Sequence, residues 1–140
     1  MAFVIDASAA LAWCFADEAT EATNALLTRL RSNEEAVEPA HWPVEIANAL
    51  IVAARRKRIS PEDVRRLLED LEALPIRIDP PSRSLVRAGV LSLAEQFQLT
   101  AYDAAYLELA MRQGLPLATR DQALREASRA AGVVLLEPQP

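Results

Sequence analysis

The stretch from Thr100 to Arg125, TAYDAAYLELAMRQGLPLATRDQALR, constrains the fold more than any other part of the chain. Thr100 followed three residues later by Asp103 is a helix-start pattern, with Asp where a capping box usually has Glu. Gly114 stands where a helix end favours a left-handed residue, and Pro116 stops the helix from resuming. Leu115–Thr119 is then a short apolar run between breakers, which predicts a buried strand. Asp121 follows the carboxyl end of that strand and opens another helix. Helix, turn, buried strand and helix in 26 residues is the grammar of an α/β sheet, whose ligands gather at the strand carboxyl ends. Asp103 and Asp121 both fall on that side, although each also has a plainer role as a cap of its own helix.

The start of the chain repeats the pattern. Ala2–Ile5 is apolar and reads as the first, central strand; Asp6 ends it, and Ala9–Ala16 reads as a helix. Glu18–Arg31 predicts a second helix on the stripe Ala22, Ala25, Leu26 and Leu30. Ser32–Glu38 is polar and loop-like, with room for a short strand at Ala36–Val37. Pro43 suits the first residue of a third helix running to about Arg58, with Ile46, Ala47, Leu50, Ile51 and Ala54 inward. Glu45 and Asn48, three apart, share another face near its amino end. Ser60-Pro61-Glu62-Asp63 starts a fourth helix that stops at Pro75. Ile76–Ile78 is a brief strand, and Ser82–Phe97 is a fifth helix with Leu85, Val86, Val90, Leu93 and Ala94 inward. Gln122–Ala131 is the last helix, and Val133–Leu136 the last strand. Strands alternating with helices predict a single α/β domain with a mostly parallel central sheet flanked by helices.

At 140 residues the chain can bury a real core. No apolar run is long enough to span a membrane, and Asp6 interrupts the amino terminus too early for a signal peptide, so a cytoplasmic location is expected. The one cysteine, Cys14, excludes an internal disulfide, and its neighbours Leu11, Trp13 and Phe15 make it a buried structural thiol. The one histidine, His41, would have to carry a zinc site or a serine triad alone, and a structural role is expected. Net charge is −5, yet Arg55–Arg66 holds six positive and two negative residues. Such a run is a solvated helix end or, as Arg55, Arg56 and Arg58 suggest, a contact surface for a phosphate backbone.

Asp6, Glu45, Asp103 and Asp121 all fall at predicted strand carboxyl ends or helix amino ends. Four carboxylates on one rim would repel strongly without a cation, so their convergence implies a bound metal. Oxygen-only ligands select magnesium or manganese over zinc. A site of that kind suits phosphodiester hydrolysis, in which the metal activates water and steadies the phosphate oxygens.

At these residues the chain resembles a known family. VIDAS at Val4–Ser8, PVEIANAL at Pro43–Leu50, LTAYDAAYLELA at Leu99–Ala110 and ATRD at Ala118–Asp121 resemble the four blocks of a PIN-domain nuclease, more narrowly a VapC-type toxin of a toxin–antitoxin pair. The resemblance implies a PIN-like domain over residues 1–140. It implies an Mg2+- or Mn2+-dependent endoribonuclease that cleaves RNA, forms a homodimer and is inhibited by a small VapB-like antitoxin. Asp6, Glu45, Asp103 and Asp121 match the acidic metal-binding positions. Ser8 and Thr119 match hydroxyls lining the pocket, and Asn48 matches a frequent neighbour. Two alternatives stand beside this reading: a PIN-type RNA-processing nuclease outside a toxin pair, and a non-catalytic interaction module with an acidic socket. Haloacid-dehalogenase phosphatases want Asp where Ser8 stands. They and receiver domains also want a late lysine, whereas Lys57 is the only lysine here.

Overall fold

The computed structural model describes residues 1–136. Four parallel strands form one sheet in the order β3-β2-β1-β4: β1 (Ala2–Ile5), β2 (Glu35–Glu38), β3 (Ile76–Ile78) and β4 (Leu117–Ala118). Between and after them run α1 (Ala7–Ala10), α2 (Glu21–Arg31), α3 (Trp42–Arg55), α4 (Pro61–Glu72), α5 (Arg83–Leu85), α6 (Leu91–Phe97), α7 (Ala101–Gln113) and α8 (Gln122–Ala130). β1 is central because it is apolar throughout: Phe3, Val4 and Ile5 are all 0% exposed. From β1 the chain lays β2 and β3 to one side, and β4 to the other. The strand order therefore reverses between β1 and β4, and a crevice opens at their carboxyl ends.

Most predicted elements are present, and the departures have local causes. Asp6 accepts from the Ala9 backbone N–H, so α1 begins at Ala7 and gives way to a 3₁₀ turn at Leu11–Trp13 instead of running to Ala16. Thr20 and Thr23 cap each other reciprocally, which starts α2 at Glu21; Glu18 belongs to a separate 3₁₀ turn, Ala16–Glu18. Glu35–Glu38 is a full strand, since it pairs on both edges. α3 stops at Arg55 because Lys57 takes a left-handed backbone at φ 63°. Its inward face is Ile46, Leu50 and Ala53, and Ile51 turns outward.

The fifth predicted helix contains a π turn at Val86–Val90 between α5 and α6. The extra residue in that turn shifts the helical phase, leaving Val86 55% exposed while Val90 is buried. Gly89 lies in this turn, where a Cβ would stand 3.0 Å from Glu108 Cγ on α7, so a larger residue would have to push that side chain aside. Ser60 and Thr100 cap α4 and α7 as expected, and Gly114 ends α7 at φ 64°. The last predicted strand, Val133–Leu136, is reduced to a single parallel bridge from Leu135 to Leu117.

α7 packs its apolar face, Ala104, Tyr106, Leu107, Leu109 and Ala110, into the core and lies against β1. Leu107→Ala, at a fully buried position, should lower unfolding free energy by about 2–5 kcal/mol in urea titrations. A loss below about 0.5 kcal/mol would contradict this packing.

Candidate active site

Asp6 follows β1 directly and is 3% exposed. A buried carboxylate needs its lone pairs occupied. Its Oδ1 accepts from the Ser8 hydroxyl at 2.7 Å and the Ala9 N–H at 2.9 Å, and its Oδ2 accepts from the Thr119 hydroxyl. Thr119 also accepts from the Asp121 N–H at 3.0 Å, so one buried hydroxyl joins the ends of β1 and β4. Burial nevertheless wins at Asp6. It lifts the carboxyl to about 6, with Asp103 adding to the rise, and the hydrogen bonds from Thr119, Ser8 and Ala9 oppose it.

Glu45 sits in the first turn of α3, where its Oε1 accepts from the Tyr106 hydroxyl at 2.8 Å and meets His41 Nε2 at 3.1 Å. Burial pushes its carboxyl up, but His41 and Tyr106 together hold it below the ordinary value. Tyr106 itself is buried and its phenol is pushed far up, by burial and then by the carboxylates of Glu38 and Glu45. Asp103, in the first turn of α7, is half-buried; burial raises its carboxyl, and Asp121 and Glu45 raise it further. Asp121 caps α8 by accepting from the Leu124 N–H at 2.9 Å, so its capping role is real. Electrostatic contact links Asp103 to Asp6, Asp121 and Glu45, which places the four acids around the crevice between β1 and β4.

The donors are all carboxylate oxygens, the chemistry of a hard divalent cation. Among the described residues no group of three or more acidic, imidazole or thiol side chains stands close enough together to hold a metal ion. Magnesium needs few protein ligands, because it keeps several waters and takes further ligands from phosphate.

Ser8, Asn48, Arg56, Arg58, Arg120 and Asp121 line a cleft of about 620 Å³ beside the acids. Arg56 and Arg58 thus share a wall with Asn48, whereas Arg55 is exposed but not part of that lining. Cys14 is half-buried and its thiol is pushed up to about 11, first by burial, then by Asp70 and Glu18, which suits a structural thiol.

The PIN domain family matches residues 3–130. The chain belongs to the PIN-domain family. Ribonuclease VapC12 of Mycobacterium tuberculosis is 34% identical over 124 residues, covering 89% of this chain and 90% of that relative. A crystal structure from Pyrobaculum aerophilum aligns with a TM-score of 0.71 at 26% identity, over 97% of this chain and 84% of that one. VapBC2 of Rickettsia felis, crystallised with a DNA fragment from its promoter, shares the fold at a TM-score of 0.65 and 12% identity, over 96% of this chain and 97% of that one.

This PIN domain also holds residues near its acids that sequence reasoning passed over. His41, for which a structural role was expected, pairs with Glu45, with its ring 5.2 Å from that of Tyr106. Only the i,i+4 spacing of His41 and Glu45 could have signalled it. Glu38, the last residue of β2, is 0% exposed. Its Oε1 accepts from the Ile5 N–H at 3.0 Å, beyond the last β1–β2 register pair at Phe3 and Ala36. Its Oε2 has no hydrogen-bond partner. Burial holds this carboxyl well above the ordinary range, with Asp6 and Glu45 adding to the effect and the Ile5 N–H opposing it.

A carboxyl raised in the folded state keeps a proton that the unfolded chain releases near about 4.3. Its stabilising contribution is therefore complete below that value and is lost as pH rises through the folded one. Glu38→Gln keeps the acceptor for Ile5 and removes the titration. In EDTA its stability should fall less steeply with rising pH than that of wild type, measured by denaturation across the series. Equal slopes would show that Glu38 does not titrate abnormally.

Proposed function

We propose that this chain is a divalent-metal-dependent endoribonuclease and the toxin of a VapBC-type toxin–antitoxin pair. The observation that supports the reading is the gathering of Asp6, Glu45, Asp103 and Asp121 at the crevice between β1 and β4, in a chain of the PIN family. These four residues would hold magnesium or manganese, which supplies an activated water and charge stabilisation for in-line displacement at phosphorus. The rest of the work belongs to the protein. Ser8 and Thr119 fix both oxygens of Asp6, and Tyr106 and His41 fix Glu45. Groups held this way meet the substrate without reorganising.

Asn48 is exposed in the cleft, within reach of a bound strand. Arg56 and Arg58, with Arg55 beside them, would contact the RNA backbone, which is bound chiefly through charge. The likeness to VapC chains supports a small VapB-like antitoxin as partner and a homodimer as the assembly. Val86, Leu91, Tyr102 and Met111, exposed on α6, α7 and the π turn before them, offer apolar surface for such contacts. No helix among the described residues is long and apolar enough to cross a membrane, and the cytoplasm is the proposed location.

Two measurements test the reading. Purified protein should cleave single-stranded RNA with magnesium or manganese and not in EDTA, and Asp6→Asn should abolish cleavage while the protein remains folded. Induction of the wild-type chain alone in a bacterium should arrest growth, with Asp6→Asn restoring it. Metal-independent cleavage, or cleavage unaffected by Asp6→Asn, would overturn the nuclease assignment. Equal growth with both versions would overturn toxicity alone.

A further inference from the structure

Glu18 is the one acidic residue in the lining of the cleft besides Asp121, and both its oxygens are engaged by arginines from distant parts of the chain. Its Oε2 accepts from Arg58 Nη2 at 3.1 Å, and its Oε1 from Arg120 Nη1 at 3.2 Å. Arg58 comes from the turn after α3 and also reaches Asp17 at 3.0 Å. Its guanidinium lies over the Phe15 ring, 4.3 Å from the centroid. Arg120 comes from the turn before α8, and its backbone N–H donates to Ser8 Oγ at 3.1 Å. Ser8 is the same hydroxyl that donates to Asp6. The Arg58 guanidinium thus rests on a ring face, and the Arg120 backbone is tied to the acidic site through Ser8.

A carboxylate whose two oxygens each face a different guanidinium has the geometry of a phosphodiester offering its two non-bridging oxygens. All these groups are part-exposed, and exposed ion pairs are weak enough to exchange partners. We propose that Arg58 and Arg120 form a seat for an RNA backbone phosphate next to the scissile site, and that Glu18 fills this seat in the free protein and is displaced by the strand. Glu18 is then a built-in competitor that sets how tightly RNA must bind before it enters the cleft. The proposal rests on the ribonuclease reading above and adds Arg120 and Glu18 to it.

The test measures binding of fluorescein-labelled single-stranded RNA in EDTA, so that no cleavage intervenes. Glu18→Gln should tighten binding at least about threefold, because Arg120 loses its carboxylate partner and Arg58 keeps only the exposed Asp17. Glu95→Gln, the same charge change at an exposed position on α6 outside the cleft, should leave binding within experimental error of wild type. Arg120→Gln should weaken binding and flatten the dependence of log K on log salt by ~0.7, the loss of one phosphate contact on a single strand. Thermal melts of each variant confirm the fold, and the Arg120 arm stands independently of the Glu18 variant. RNA bound by wild type but not more tightly by Glu18→Gln than by Glu95→Gln would overturn the seat and leave the nuclease reading intact. An unchanged salt slope in Arg120→Gln would overturn it too. A wild-type chain that binds no RNA would overturn both.

Discussion

The hydrogen bond from the Thr119 hydroxyl to Asp6 is the contact on which the site depends. β1 and β4 are neighbours in the sheet but separated by over a hundred residues in the chain, and this bond closes the crevice where their order reverses. The sheet is held by backbone pairing from Val4 and Asp6 N–H to the Pro116 and Ala118 carbonyls. At the last rung the side chains take over. Asp6 then meets Ser8, Ala9 and Thr119, and Thr119 passes the connection to Asp121. A buried carboxylate without these donors would cost several kcal/mol. With them it is tolerated but remains strained electrostatically, as its elevated proton affinity shows.

That strain is not uniform across the acids. Glu45 has an imidazole and a phenol against it and is shifted toward the ionised form. Asp6 and Asp103 lean the other way, first through burial, then through the charge of Asp103 on Asp6 and of Asp121 and Glu45 on Asp103. Without a cation, the folded chain therefore holds Asp6 and Asp103 closer to protonation than the unfolded chain does. Its stability falls as pH rises through the range near 6 where Asp6 loses its proton. A divalent cation bound among the acids would reverse this balance by stabilising their charged forms.

The fold class was legible because punctuation is local: Gly114, Pro116, Ser60 and Thr100 act within a turn of where they stand. That four acids stand at strand ends and helix starts was legible for a related reason, since such places can be located from this punctuation even when strand lengths cannot. What escaped was set by tertiary contact. Glu38 breaks the expectation that a buried strand position is apolar, and nothing local announces its bond to Ile5. The π turn at Val86–Val90 changes which residues face inward without changing composition, so Val86 was misplaced. Arg58 read as part of a basic run, yet its partners Asp17 and Glu18 lie some 40 residues earlier, beyond any periodicity.

The central claim, that the four acids form a divalent-cation site and are more than helix caps, is tested most directly by thermal melts of wild type and Asp103→Asn. The melts are run at neutral pH in EDTA and in excess manganese. Removing one charge while keeping the shape should stabilise the metal-free protein and shrink the upward shift of the midpoint on adding manganese, since the metal binds the folded form. A mutant that is less stable in EDTA, by the 0.3–1 kcal/mol or so that a first-turn anion contributes, with no manganese response in either protein, would contradict it.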